Sequence, residues 1–239
     1  MKALLRLLPV PLLVAACAEG VDGVPVSEIR PDFAVRIAPS VPTEVTARLE
    51  ARGASFALMG WDRLSASAGG LAQVLAPVPD ASEPVYRASF PGLVEGAPAT
   101  VSLSRTGAAS AVESRVTAPA PVTMTRPAEG VTVAVGQALE VAWSQSGTED
   151  RLSVHVVATR CSDGGRGGTA VVDVEGDPGA ASVPIGSELL PPGLSAGGSC
   201  TADVWVERAR SGEVSPDFAP GGRIEARQAS LAVPVSVVR

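Results

Sequence analysis

Apolar side chains recur at every second position along most of this 239-residue chain. In segments 33–37 (FAVRI) and 43–49 (TEVTARL), apolar residues alternate with polar or small ones. Segments 139–143 (LEVAW) and 152–158 (LSVHVVA) repeat the alternation in the second half. A period of two is typical of a β-strand with one buried face. The 25 glycines and 21 prolines also interrupt the chain too often for long helices. The pattern predicts an all-β fold.

The number of alternating segments predicts two modules, because a β-sandwich is built from about seven short strands. Six or seven such segments lie within residues 31–118, and seven more lie within 119–239. Pro119 and Pro121 stand where the two sets meet. Proline is excluded from central strands and stiffens short connectors. We therefore predict one antiparallel β-sandwich over 31–118 and a second over 119–239.

The first sixteen residues break this pattern and predict a secretion signal. Lys2 and Arg6 place positive charge around the start of an apolar run over residues 7–14. That run is too short to cross a bilayer, which needs about 20 apolar residues. We expect residues 1–16 to be removed. Residues 17–30, rich in glycine, proline and acidic side chains, are then expected to form a tether.

The end of the signal, Val14-Ala15-Ala16-Cys17, resembles the lipobox of bacterial lipoproteins. The resemblance implies that Cys17 receives a covalent lipid and that the chain is cut just before it. Ala18, in place of aspartate, implies transport to the outer membrane by similarity to enterobacterial lipoproteins. An ordinary secretory signal that merely ends near a cysteine is the alternative.

The start of the second module also resembles a known family. Six residues follow the order P-x-x-G-x(5)-G-x-x-L-x-V-x-W, namely Pro127, Gly130, Gly136, Leu139, Val141 and Trp143. This order is similar to that in immunoglobulin-like or fibronectin-III-like modules of bacterial surface lipoproteins. The resemblance implies an immunoglobulin-like β-sandwich over 119–239 and carries no particular activity. Trp143 shares a face with Leu139 and Val141 and is predicted to lie in the core.

Composition excludes several kinds of chemistry. Lys2 is the only lysine and leaves with the signal, the chain has no asparagine, and His155 is its only histidine. A mature chain without lysine has no Schiff base, no pyridoxal phosphate attachment and no P-loop. The formal charge of the whole chain is −6, which argues against nucleic acid because phosphate binding needs clustered cations. We expect a protein that is not an enzyme, with no cofactor beyond the lipid.

Two cysteines remain once Cys17 carries a lipid. An exported protein meets an oxidising compartment, so Cys161 and Cys200 are predicted to form a disulfide. A metal site built from these cysteines and His155 is the alternative. It lacks the C-x-x-C pair that zinc sites usually contain.

Two other segments match chemical motifs only in part. Residues 193–197 read G-x-S-x-G, but prolines precede Ser195 and glycines follow it, so the segment is predicted to be a loop and not a nucleophile elbow. Asp173, Glu175 and Asp177 occupy alternate positions and could chelate Ca²⁺. The alternative is three solvated carboxylates at the end of a strand.

Trp205 is the aromatic residue that departs from the buried pattern. It shares its strand face with Asp203 and Glu207, while the valines on either side of it face the other way. An outward tryptophan could stack on a sugar or contact a partner. The alternative is a ring covered by the tether, by the other module or by a long loop.

These observations lead to three hypotheses about function. The first is a non-catalytic lipoprotein of the cell envelope that is anchored by its lipid and serves as a structural, adhesion or assembly module. Its partner would be another envelope protein or a polysaccharide. The second is a carbohydrate-binding lipoprotein that uses Trp205, Trp61 or Tyr86, and exposure of these rings would favour it. The third is a secreted hydrolase with paired carboxylates, which needs only aspartate and glutamate.

Overall fold

The computed structural model of the protein describes residues 23–145 and 147–239. The signal, the lipobox and Cys17 lie outside the described residues. Within them the chain forms eighteen strands and two 3₁₀ helices, Val26–Glu28 and Ser187–Leu189, which confirms the predicted all-β class. The part of the chain that is described contains no helix of sufficient length and apolarity to span a membrane.

The strands of the first half are β1 (Ile29–Ile37), β2 (Thr43–Ala51), β3 (Ala54–Ser55), β4 (Arg63–Ala68), β5 (Leu71–Val74), β6 (Ala76–Pro77), β7 (Tyr86–Phe90), β8 (Pro98–Ser104) and β9 (Ala111–Thr117). Those of the second half are β10 (Met124–Arg126), β11 (Thr132–Ala134), β12 (Ala138–Trp143), β13 (Arg151–Cys161), β14 (Thr169–Val174), β15 (Ala180–Pro184), β16 (Ser199–Ser211), β17 (Arg223–Ala229) and β18 (Val233–Val238).

The first sandwich packs β17, β1, β2, β7 and β6 against a four-stranded sheet of β5, β4, β8 and β9. Alternation along the strands produces its core, because every second side chain points between the sheets. Phe33 and Val35 enter from β1, Leu49 from β2, and Val101 and Leu103 from β8, all of them buried. The intervening residues face solvent.

The second sandwich packs β14, β13, β16, β18 and β11 against β10, β12 and β15. Trp143 is 4 % exposed, which confirms its predicted place in the core. The predicted disulfide between Cys161 and Cys200 is present and joins β13 to β16. Two of the strand pairs formed by the described residues are parallel, β1 with β17 and β11 with β18, whereas the sequence predicted only antiparallel pairing.

One eleven-stranded sheet continues through both sandwiches. Strand β16 is thirteen residues long: it pairs along one edge with β13 over residues 200–209, and along the other edge with β18 over 199–204 and then with β17 over 207–211. Strand β17 then pairs with β1, from Asp32 beside Arg223 to Ile37 beside Gln228.

The side chains that follow β16 also pack in the first core. Phe218, Ile224 and Ala226 belong to that core, and the ring of Phe218 meets Phe33 edge-on at 5.9 Å between centroids. The sequence predicts that all of residues 119–239 belong to the second sandwich. The structure instead places the part that contains Phe218, Ile224 and Ala226 in the first. A strand's own pattern shows which face is buried but does not identify its partner.

The segment predicted as a stiff connector between the modules is largely buried. Ala118, Ala120 and Val122 are covered. Arg208, a fully buried side chain of β16, donates hydrogen bonds at 3.1 Å to the carbonyls of Ala120 and Pro121. The connector is therefore held by side chains from β16 and is part of the packed structure.

Two ion pairs complete the junction. The guanidinium of Arg208 lies 3.0 Å from one oxygen of Asp177, whose other oxygen accepts a 2.8 Å hydrogen bond from Trp143 Nε1. Arg210 binds both oxygens of Asp150, at 2.7 and 2.9 Å. Arg210 also donates to Thr117 Oγ1 at 3.1 Å. Strand β16 thus joins the connector to the second sandwich through charge-assisted hydrogen bonds.

Candidate ligand-binding faces

Among the described residues, Trp61 in the turn between β3 and β4 has the most exposed aromatic ring. Its side chain is 72 % exposed. Gly60 turns the chain with φ of +60°, a conformation that glycine adopts without strain, and Asp62 N donates to Met59 O at 3.2 Å. The turn therefore presents the indole to solvent.

A buried ion pair fixes this turn. Asp62 Oδ2 lies 2.9 Å from Arg105 Nε, and both side chains are almost fully buried. The other oxygen of Asp62 accepts a 3.0 Å hydrogen bond from Thr106 N. Asp62, the residue next to Trp61, is thereby bound to the residues that follow β8. These contacts hold the turn that carries the exposed ring.

A flat row of hydroxyl groups begins beside Trp61. Arg63 Cζ lies 5.9 Å from the centre of the indole, within the range of a cation–π contact. Further along, Ser65 pairs with Ser102 and Ser67 with Thr100 across β4 and β8. These four residues, which we call the hydroxyl face, point away from the core and are partly exposed. Each hydroxyl both donates and accepts hydrogen bonds.

Trp205 lies on the outer face of the second sandwich, as predicted, but one side of its ring is covered. The His155 imidazole stacks on it with centroids 4.9 Å apart and planes 4° apart, because the two residues pair directly across β13 and β16. Burial lowers the pKa of His155, and the nearby Glu207 carboxylate acts in the opposite direction. The cover is therefore a neighbouring strand residue and not one of the three predicted covers. Ligand contact at Trp205 stays a prediction.

The other ring named from the sequence is not accessible. Tyr86 is 6 % exposed, and its hydroxyl accepts a hydrogen bond from Leu58 N. The residues next to the two rings could have distinguished Trp61 from Tyr86 in the sequence. Trp61 sits between Gly60 and Asp62, a turn composition, whereas Tyr86 begins an alternating strand.

The structure does not assemble the predicted metal ligands. Asp177 is engaged by Arg208 and Trp143 inside the junction, while Asp173 and Glu175 are exposed. Among residues 23–145 and 147–239, no group of three histidine, cysteine, aspartate or glutamate side chains is placed to hold a metal ion. Ser195 lies in a loop without strand or helix, as predicted.

The groove richest in carboxylates does not resemble a hydrolase site. It lies on the outer face of β17, β1, β2 and β7 and contains Asp32, Glu44 and Glu225. Each of these carboxylates is paired with an arginine. The hydrogen bond from Arg223 lowers the pKa of Asp32. A glycosidase needs instead one carboxyl whose pKa is raised so that it can act as an acid.

No protein-family model matches the chain, and neither does any curated protein. Solved structures with a similar arrangement include the FN1–FN3 domains of chicken CNTN1, at 15 % identity over 90 % of this chain and 66 % of that one, with a TM-score of 0.26. A two-domain fibronectin type III segment of chicken tenascin matches at 14 % identity over 88 % of this chain and 99 % of that one, with a TM-score of 0.24.

A third structure is the Bacteroides ovatus glucan-utilisation protein SGBP-B in complex with a mixed-linkage heptasaccharide. It matches at 14 % identity over 90 % of this chain and 45 % of that one, with a TM-score of 0.24. The chain spans 66 % of the CNTN1 structure and 30 % of a biofilm-associated protein domain that it also matches. At such TM-scores, function has to be inferred from the chain's own residues.

Proposed function

We propose that the mature protein is a non-catalytic binding module that a lipid on Cys17 holds in the cell envelope, at the outer membrane. The supporting observation is Trp61, a ring exposed on a turn that a buried ion pair fixes. Burying a large apolar side chain contributes about 1.5–3 kcal/mol, which this fold leaves unused. A partner that covers the ring gains this contribution, and a turn already fixed loses little conformational entropy on binding.

The lipid anchor suits a protein that acts by contact, since it keeps the binding face near envelope partners. The proposed tether starts at Cys17 and is shorter than the predicted segment 17–30, because Val26 and Ile29 are buried in the first core. More than one acyl chain makes such anchoring stable, at about 0.8 kcal/mol for each buried methylene. The partner in this proposal is an envelope polysaccharide or another envelope protein.

The surroundings of Trp61 favour a second, narrower function, which is carbohydrate binding. Serine and threonine are under-represented among the residues that dominate protein–protein interfaces. The hydroxyl face instead offers paired donors and acceptors, with the exposed Val74 across from Ser65 at its side. A ligand that is itself rich in hydroxyl groups can satisfy them while one of its rings covers the indole.

Binding of the mature protein to intact cells and to a polysaccharide array tests both functions. We expect Trp61→Ala to weaken binding at least tenfold, because large aromatic anchors dominate interface energies. The matched control is Leu231→Ala, which removes another exposed apolar side chain. Equal binding by the two variants would contradict a role for Trp61. Loss of cell binding without any array signal would favour a protein partner.

The anchor has a separate test. Cells that express the full chain should incorporate labelled palmitate into it, and Cys17→Ser should abolish the label. The control Cys161→Ser changes a cysteine of the disulfide and should keep the palmitate label. Label that persists in Cys17→Ser would overturn the lipoprotein assignment.

A further inference from the structure

The arginines of the first sandwich surround a small pit on the sheet opposite the hydroxyl face. The pit has a volume of about 230 Å³ and opens on the outer face of β17, β1, β2 and β7. Ala34 and Thr46, which pair across β1 and β2, line its centre. We propose that this pit binds the carboxylate or phosphate groups of an acidic envelope polysaccharide.

Strand register builds the pit. On one side of the small central residues, Arg36 pairs with Arg227 of β17. On the other side, Asp32 lies between Arg223 and Arg48 on its two neighbouring strands. With Arg87 from β7, these cations form what we call the arginine ring, which consists of Arg36, Arg48, Arg87, Arg223 and Arg227. The ring needs β17, so it exists only because the C-terminal part of the chain joins the first sandwich.

Three of the five arginines are engaged by carboxylates of the pit. Arg223 binds Asp32 with two hydrogen bonds, at 2.7 and 2.9 Å. Arg87 lies 3.2 Å from Glu44. Arg227 lies 2.7 Å from Glu225. The hydrogen bond from Arg223 lowers the pKa of Asp32, and the charge of Arg48 acts in the same direction. Asp32 therefore stays ionised beside Arg223.

Arg36 and Arg48 are left over. Both are exposed, and within the described residues neither forms an ion pair within 4.0 Å, although Arg36 lies across from Glu44 and Arg48 lies across from Asp32. The pit thus has two more cations than anions, in a chain whose net charge is −6. A guanidinium presents a fork of donors that fits two oxygens of a carboxylate or phosphate. An anion seated above Ala34 and Thr46 would lie between the two unpaired forks.

The placement of Arg36 is a second, independent observation. It lies directly beside Arg227 across the β1–β17 pair. Like charges that face each other across strands repel, and Glu44 across from Arg36 and Glu225 beside Arg227 offset part of this repulsion in the free protein. A bound anion would remove the repulsion. The pit also opens on the side of a long sheet and not at a loop tip, a position that suits a linear polymer lying along the surface.

Titration of the whole mature protein with polygalacturonate and with inorganic phosphate tests the site, with neutral dextran as the polymer control. We expect saturable binding of polygalacturonate that Arg36→Gln and Arg48→Gln each weaken roughly tenfold and that the double variant abolishes. Arg52→Gln, on an exposed arginine paired with Glu28, is the matched control and should bind normally. Binding should also weaken steeply with added salt, because exposed charges are screened.

Three outcomes would overturn the proposal. The first is polygalacturonate binding that survives in the double variant. The second is binding that Trp61→Ala abolishes while the arginine variants keep it, since this would move acidic glycans to the Trp61 face. The third is binding of anionic phosphatidylglycerol vesicles, but not of polygalacturonate, through Arg36 and Arg48. If instead Trp61→Ala loses cell binding and keeps polygalacturonate binding, both sites stand and are separate.

Melting temperatures of the same variants show whether they fold. Because Arg36→Gln removes both the like-charge contact with Arg227 and the opposite-charge contact with Glu44, we expect its melting temperature without ligand to stay close to that of the wild type. A clearly lower melting temperature would show that Arg36 has a structural partner, and it would contradict the assignment of an unpaired cation.

Discussion

The two sandwiches differ in how much of the chain each one needs. The second draws its core from residues between Val122 and Val237, is crossed by a disulfide and keeps Trp143 at its centre. The first has no disulfide in its described residues and takes β17 and Phe218 from beyond the second sandwich's main strands. The second sandwich therefore contains all its own strands on either side of a segment that packs elsewhere, whereas the first takes part of its core from beyond the second. Only the first should lose core residues when the two are separated.

The largest test of this difference is to separate the modules. We expect residues 23–122 alone to show no cooperative unfolding transition, because β1 loses its pairing with β17 and the core loses Phe218, Ile224 and Ala226. Residues 119–239 alone should unfold cooperatively but be cut by proteases within 212–229. Circular dichroism melts and limited proteolysis, with the mature chain as control, measure both. A cooperative melt of the first fragment would remove the distinction.

The next largest effect is expected at the buried arginine of the junction. Arg208→Ala leaves Asp177 without its partner and two carbonyls without their donor, which should lower the free energy of unfolding by about 3–5 kcal/mol. Urea denaturation measures it. The control Arg52→Ala breaks an exposed pair with Glu28 and should cost at most about 1 kcal/mol. A similar small cost at Arg208 would mean that the ion pair does not hold the junction.

The disulfide should matter to the second sandwich more than to the first. Replacing Cys161 and Cys200 together with serine opens a loop with a sequence separation of 39 residues. The expected loss is about 2–4 kcal/mol. Backbone amides should exchange hydrogen faster than in the wild type, mainly in β13 and β16. Faster exchange in β1 and β2 of the same size would contradict the independence of the two cores.

The smallest expected effect is a pH dependence at His155. Burial lowers the pKa of His155 below 6.5, so the folded state takes up a proton less readily than the unfolded state. Its contribution to stability is complete above about pH 6.5 and is lost as the pH falls below that value. Melting temperatures of wild type and His155→Gln between pH 5 and 7 should therefore differ in slope, the wild type being steeper. Parallel slopes would show that His155 titrates normally when folded.

Much of the fold was predictable because it depends on local pattern. The period-two segments, the burial of Trp143 and the pairing of Cys161 with Cys200 are all confirmed. Partner choice was not predictable, because the residues of β17 do not indicate whether it joins β18 or β1. The prolines at 119 and 121 correctly marked the end of β9, but a proline-rich connector can be buried when arginines such as Arg208 satisfy its carbonyls.

The candidate sites were less predictable than the fold. Trp61 was named only as one of three rings, and its exposure follows from the Asp62–Arg105 pair, whose members are 43 positions apart. The arginine ring collects residues from four strands, two of them separated by nearly the whole chain. Composition showed that arginine is the only cation available to the mature protein, but spacing along the sequence contains no sign that Arg36 lies beside Arg227.

Strand β16 has a mechanical consequence. Its thirteen residues extend for about 40 Å without a break, from the disulfide at one end to the β17–β1 ladder at the other. Tension applied along this axis would act on the flanking hydrogen bonds in shear, so that many must slide at once instead of opening singly. In the proposed location, a pull between the lipid anchor and a distant partner would meet more resistance along this line than across it.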